Sequence, residues 1–203
     1  MVSNTEAFKS IWSDPRGTIS RLAQSPDQSF LLKLILIEGA LGMAFNTKGG
    51  GIGMWLLGLV VLGPLSAAFF YFLNAFLLSK IAPMFKGASD QGRIKVALAW
   101  GALPSTVVTA LFGLLGLAYT AAVGGTDTSP GVGVLILLVL NIVAFLWTFT
   151  IGLRSLSEGL TIPIVPTILV MIIVGIIDVV CGFVWGMVMA VFYGVSGAPL
   201  PPQ

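Results

Sequence analysis

The chain has no histidine and a single cysteine, Cys181, among its 203 residues. The first absence removes the commonest general base and the commonest metal ligand together. The second excludes an intrachain disulfide and any metal cage built from thiolates. Charge is scarce as well, since aspartate, glutamate, lysine and arginine together make up 9% of the residues. A soluble domain of this length would need far more polar surface. The net charge of +2 and the lack of a basic cluster with interleaved aromatics argue against nucleic acid as a partner. No metal or cofactor is expected.

What the chain has in plenty is apolar length. Hydrophobic residues are 57% of the total, and the mean hydropathy is +1.02. Five apolar stretches stand out: Phe30–Phe45, Met54–Leu78, Val96–Tyr119, Val132–Ile151 and Ile164–Phe192. All but the first meet or exceed the ~20 residues a helix needs to cross ~30 Å of hydrocarbon. With no water in the bilayer core, only helices or a closed barrel satisfy the backbone, and unbroken runs without dyad alternation select helices. The expected fold is therefore an all-α integral membrane protein. It is a five-helix transmembrane bundle over residues 30–192, preceded by an amphipathic cytoplasmic segment over 1–29 and followed by an external tail over 193–203.

The basic residues set the expected orientation. Lys9, Arg16, Arg21 and Lys33 precede or open the first stretch. Lys80, Lys86, Arg93 and Lys95 fill the second gap, and Arg154 sits in the fourth. Only Lys48 lies in the first gap, and the third gap and the tail have none. Positive-inside bias puts the amino terminus in the cytoplasm and the carboxyl tail outside. The first stretch is about 24 Å long as a helix, and it carries Lys33 and Glu38. Keeping both basic regions on one side favours a crossing, with Lys33 snorkelling to the headgroups, and a re-entrant or tilted first helix is the alternative. Glu38 and the lack of a small-x-small site after it speak against a signal peptide.

In residues 1–29, Phe8, Ile11, Trp12, Ile19 and Leu22 recur at roughly helical spacing, and Ser13-Asp14-Pro15 resembles an N-cap followed by proline. Two short helices lying on the cytoplasmic leaflet are expected, with Trp12 at headgroup depth. The glycine-rich turn Asn46–Gly53 lacks the Gly-Lys-Ser/Thr of a phosphate loop. In the third stretch Pro104 should kink the helix. Ala97, Gly101, Ser105, Thr109 and Gly113 form a small-residue ridge there, and Gly175, Asp178, Gly182, Gly186 and Ala190 form another in the fifth; both invite close helix packing.

Glu38 and Asp178 are the acids inside apolar stretches. Each costs ~2.5–3.5 kcal/mol at the centre of a span, so neither should face lipid. One reading makes them a proton or cation site. The other makes them hydrogen-bonded joints between helices, with Asn74 or Asn141 as partners. Arg154 and Glu158, four apart, could pair at the membrane edge.

The order of these features resembles the Yip (Ypt-interacting protein) domain family in its prokaryotic branch. Trp12-Ser13-Asp14-Pro15-Arg16-Gly17-Thr18 is similar to the family's amino-terminal segment. Arg93-Ile-Lys-Val-Ala-Leu-Ala-Trp100-Gly-Ala-Leu-Pro104 resembles its basic entry into the third span. Trp147-Thr-Phe-Thr-Ile-Gly-Leu153-Arg154-Ser-Leu resembles the exit of its fourth. Thr161-Ile-Pro163-Ile-Val-Pro166 departs from the pattern, where many relatives carry a small polar stretch. The resemblance implies five spans with a cytoplasmic amino terminus in a prokaryotic cytoplasmic membrane, and for eukaryotic relatives an adaptor role. The expected function is a membrane scaffold or adaptor working through the bilayer with a protein partner or a second copy of itself. The alternative is a small proton-, ion- or lipid-coupled transporter or channel. No His, paired Asp or Ser–His set supports an enzyme.

Overall fold

The computed structural model describes residues 3–44, 51–123 and 132–195, and all regular structure in them is helical. In chain order the helices are α1 (Asn4–Ser10), α2 (Pro15–Leu22), α3 (Gln28–Ala44), α4 (Gly51–Leu57), α5 (Gly63–Ile81), α6 (Gln91–Val123), α7 (Val132–Leu160) and α8 (Ile164–Val195). A π turn (Gly58–Leu62) joins α4 to α5, and a 3-10 turn (Ala82–Phe85) follows α5. Among the described residues, four helical stretches are long and apolar enough to cross a membrane: Trp55–Phe85, Gln91–Gly116, Leu135–Leu160 and Ile164–Val188. The protein is thus an all-helical integral membrane protein. The 17-residue α3 is shorter than these four. Phe45, most of the glycine-rich stretch 46–53, residues 124–131 and residues 196–203 lie outside the described residues.

The turn at Gly58–Leu62 has a local cause. Pro64 has no amide proton to donate to the Val60 carbonyl, so the ladder widens by one residue. Gly63 N–H then reaches back to the Gly58 carbonyl. The same region makes the tightest helix crossing. A Cβ built on Gly39 of α3 would lie 2.3 Å from the Gly63 carbonyl oxygen and 2.5 Å from Ala67 Cβ, and one built on Gly63 would lie 2.3 Å from the Gly39 oxygen. Glycine at both positions lets the two backbones touch.

The small-residue ridge on α6 is engaged over its first half only. A Cβ on Gly159 of α7 would press to 2.3 Å on Ala97 Cβ, and one on Gly101 would sit 3.0 Å from Ser155 Cβ. Ser105 and Thr109 are exposed and Gly113 is half-buried. The expected second ridge, on α8, is corrected. Cβ atoms on Gly175 and Gly186 would meet nothing within 4 Å, and one on Gly182 would meet only the Phe70 ring at 3.8 Å. α8 packs instead through larger groups: Trp185 stacks on Phe69 at 4.6 Å and donates its indole N–H to Ser66 Oγ at 2.9 Å. Pro104 is fully buried inside α6, which runs on through it.

Two apolar clusters carry the core, and both lie toward the end of the bundle that holds the described basic residues. One joins Ala7, Ile11, Ile19 and Leu22 to Leu31, Leu34, Val96, Trp100 and Ile151. The other joins Ala75 and Leu78 to Ile94, Leu160, Ile162 and Val170. In the other half the helices present apolar side chains outward, including Leu111, Leu114, Val139, Val143, Val180 and Phe183. The first cluster revises the expected place of the amino-terminal helices. Ala7, Ile11 and Ile19 are fully buried and α2 packs on α7 and α6, so these helices turn those side chains inward and plug the end of the bundle.

Candidate functional site

The basic end is built by local chemistry that the sequence specifies. Ser3 and Glu6 form a reciprocal capping box on α1, at 3.1 and 3.2 Å, which satisfies two free amides of its first turn. The backbone and hydroxyl hydrogen bonds of Ser3, helped by Arg21, hold the exposed Glu6 carboxyl below its ordinary 4.5. Asp14 caps α2 by accepting from Gly17 N–H at 3.0 Å, with Pro15 buried at the first helical position. Thr18 is fully buried, and its hydroxyl is hydrogen-bonded at 2.7 Å to Ser10 Oγ and at 2.7 Å to the Asp14 carbonyl. Trp12 is half-buried and meets Phe8 edge to face, while Trp100 is buried and stacks on Phe30 at 5.5 Å.

Three links tie this cap to the carboxyl end of α7. Arg16 donates to Ser157 Oγ at 3.3 Å, and Ser157 itself donates to the Ile162 carbonyl at 2.6 Å. Arg93 forms an ion pair with Glu158 and also donates to the Glu158 carbonyl at 3.1 Å, where a cation suits a helix end. The loop after α5 adds the third: Ala88 N–H donates to the Leu160 carbonyl at 2.8 Å. Gly87 must be glycine for this approach, because a Cβ there would fall 2.8 Å from that oxygen. The pairing expected between Arg154 and Glu158 is therefore corrected. Glu158 turns toward α6, and Arg154 is exposed.

The polar residues within the apolar stretches fall into two groups on either side of α5. Glu38 on α3 lies within electrostatic range of the Tyr71 phenol on α5, and its Oε1 is buried without a hydrogen-bond partner. Tyr71 is buried, and its hydroxyl donates to the Lys95 carbonyl at 3.2 Å. Asp178 on α8 lies close enough to Asn74 on α5 for the amide to act on its carboxyl, while its Oδ1 is buried and unpartnered. Tyr71 and Asn74 are three residues apart on α5, roughly 4.5 Å along its axis. Asn141 is exposed on α7 and joins neither group, which corrects its expected role as a partner of the acids. Sequence reasoning missed Tyr71 and Ser157. Tyr71 carried a usable signal, as a hydroxyl in an apolar run one helical turn from Asn74. Ser157 carried none, because its partners are brought to it by the fold.

Concave surfaces occur around the basic end. One of about 640 Å³ is lined by Arg21, Asp27, Phe30 and Trp100 among others. Another of about 410 Å³ runs between Trp12 and Pro15 on one wall and Trp147, Thr150 and Arg154 on the other. A smaller one of about 210 Å³ shares Ser13, Pro15 and Arg154 with it and adds Asp14 and Arg16. Neither Glu38 nor Asp178 lines any of these three. Among the described residues, no group of three or more Cys, Asp or Glu side chains is placed to hold a metal ion. Compared with protein-family models, with curated proteins and with solved structures, the chain matches none.

Proposed function

We propose that the protein is a multi-spanning membrane scaffold or adaptor, of the kind found in the Yip domain family. In this reading α3 is a fifth crossing, the basic end faces the cytoplasm, and the tail lies outside. The observation that carries the proposal is the way polar contacts are spent. Long-range hydrogen bonds and the Arg93–Glu158 ion pair fix α2, the start of α6, the 86–88 loop and the end of α7 into one plate, which α1 joins through the Thr18–Ser10 hydroxyl bond. That plate displays Met84 and Lys9, both exposed, and Phe8, which is 44% exposed beside Trp12. A rigid, mixed apolar and basic surface on a membrane anchor is what docking onto a partner requires.

The test is extraction of the tagged full-length protein into native nanodiscs, followed by mass spectrometry. A stoichiometric protein partner should be retained by the wild type and by Glu38→Gln/Asp178→Asn. It should be lost with Phe8→Ser/Met84→Ser. Deleting residues 1–29 is a poor test, because it would also remove Ala7, Ile11 and Ile19 from the core.

A second reading, transport, rests on one observation: Glu38 Oε1 and Asp178 Oδ1 are buried with no protein partner, a costly arrangement that function can maintain. Proton- or ion-coupled flux in liposomes that disappears when both acids are neutralised would establish it and displace the scaffold. Flux unchanged by that double substitution would remove its basis.

A further inference from the structure

We propose that the groove between the start of α2 and the end of α7 binds the phosphodiester of an anionic glycerophospholipid, through Arg16 and Arg154. This site is independent of the scaffold reading. Both arginines line the same concavity, although they come from helices far apart in sequence. Arg154 is exposed, and none of the hydrogen bonds or ion pairs described above engages it. Arg16 makes a single 3.3 Å contact with Ser157 Oγ, so further N–H groups of its guanidinium are open to a ligand. Two guanidinium groups lining one concavity match phosphate oxygens better than lysines would.

The rest of the groove argues for a lipid as the source of that phosphate. Trp147 is 60% exposed on the apolar surface of α7, two turns from Arg154 and thus roughly 10 Å deeper along the helix. Trp12 faces it across the same groove. Indole rings at this depth suit the glycerol and upper acyl region, and guanidinium groups suit the headgroup plane. The local charge fits a lipid of one negative charge. Asp14 lines the headgroup end, where its carboxylate accepts from Gly17 N–H and keeps lone pairs for a headgroup hydroxyl. Two arginines against Asp14 leave one positive charge for the phosphodiester. The Thr150 hydroxyl is already committed to the Leu146 carbonyl at 2.8 Å.

Native mass spectrometry of the full chain in detergent, titrated with dioleoylphosphatidylglycerol, tests the assignment. The wild type should retain one phosphatidylglycerol in preference to phosphatidylcholine. Arg154→Gln and Trp147→Leu should each weaken retention about tenfold, with melting temperatures in lipid-free detergent unchanged. Lys86→Gln, a basic residue of the same end outside the groove, should bind as the wild type does. Equal retention of phosphatidylcholine, or an equal loss with Lys86→Gln, would overturn the site. Displacement of the lipid by millimolar inorganic phosphate would overturn the lipid assignment in favour of a soluble phosphate ligand.

Discussion

Replacing Gly39 with alanine should force α3 and α5 apart. The new Cβ would stand 2.3 Å from the Gly63 oxygen, against 3.4 Å for ordinary contact, so the gap must open by about 1 Å. The obstacle is backbone, and no rotamer change can relieve it. Overpacking of this kind costs ~1–3 kcal/mol, while alanine in place of glycine returns up to ~1 kcal/mol of helix propensity. The net expectation is a loss of ~1–2 kcal/mol, or about 2–8 °C in Tm for a chain of this size. Gly63→Ala should cost a similar amount, since its Cβ meets the Gly39 oxygen at the same 2.3 Å. The double variant should lose less than the sum, because the second methyl enters a gap the first has opened. Gly175→Ala is the control. It meets open space and should leave Tm unchanged or raise it. Thermal unfolding followed by near-UV circular dichroism in one detergent compares all four. A Gly39→Ala protein as stable as the wild type, beside a destabilised Gly175→Ala protein, would refute the assignment of the crossing to Gly39 and Gly63.

Thr161 ends α7 with φ at +56°, a conformation costly for a β-branched residue; Thr161→Gly should raise the melting temperature by a few degrees, and Thr161→Pro should lower it sharply. Ser155 Oγ is buried and unpartnered against Gly101, so Ser155→Ala should stabilise by ~1 kcal/mol or be neutral, whereas Ser155→Val should destabilise by crowding that contact, both read by the same melts. Glu158→Gln keeps the shape of α7 but removes the charge facing Arg93; loss of one part-exposed pair should cost about 1 kcal/mol or less, seen as faster hydrogen exchange at the 86–88 loop. Glu6 has a carboxyl held below 4.5 by Ser3, so its contribution is present above that value and lost as pH falls through the lowered one. Protection of the amides at residues 4–7, taken relative to their intrinsic exchange rates, should therefore fall on acidification below pH 4.5, and that fall should be absent in Glu6→Gln.

The membrane class was legible because it rests on composition and on apolar runs, which no tertiary contact can reverse. Helix ends signalled by a side chain were legible for the same reason. Ser13-Asp14-Pro15 announces the start of α2, and that helix begins at Pro15 with Asp14 as its cap. Small-residue ridges were only half legible. Spacing of four says which residues share a face, and it is silent on whether a neighbour arrives there. Ala97 and Gly101 meet α7, while Gly175 and Gly186 meet nothing within 4 Å. The tightest crossing, Gly39 on Gly63, came from two isolated glycines in different stretches, with no repeat to mark either.

The polar groups were harder still, because a hydrogen bond between distant residues leaves no mark on either segment alone. Asn74 could be named as a candidate partner for Asp178 because few uncharged amides lie inside the apolar stretches. Among those few, only geometry separates Asn74 from the exposed Asn141. Glu158 shows the same limit on charged pairs. Spacing of four offered it Arg154, but α6 brings Arg93 close enough to take both its carboxylate and its carbonyl. That competition has a consequence for the groove. Because Arg93 satisfies Glu158, Arg154 shares Asp14 with Arg16 in the groove, and the pair keeps one positive charge for the proposed phosphodiester. The ion pair that sequence reasoning misplaced is thus what leaves the proposed lipid site its positive charge.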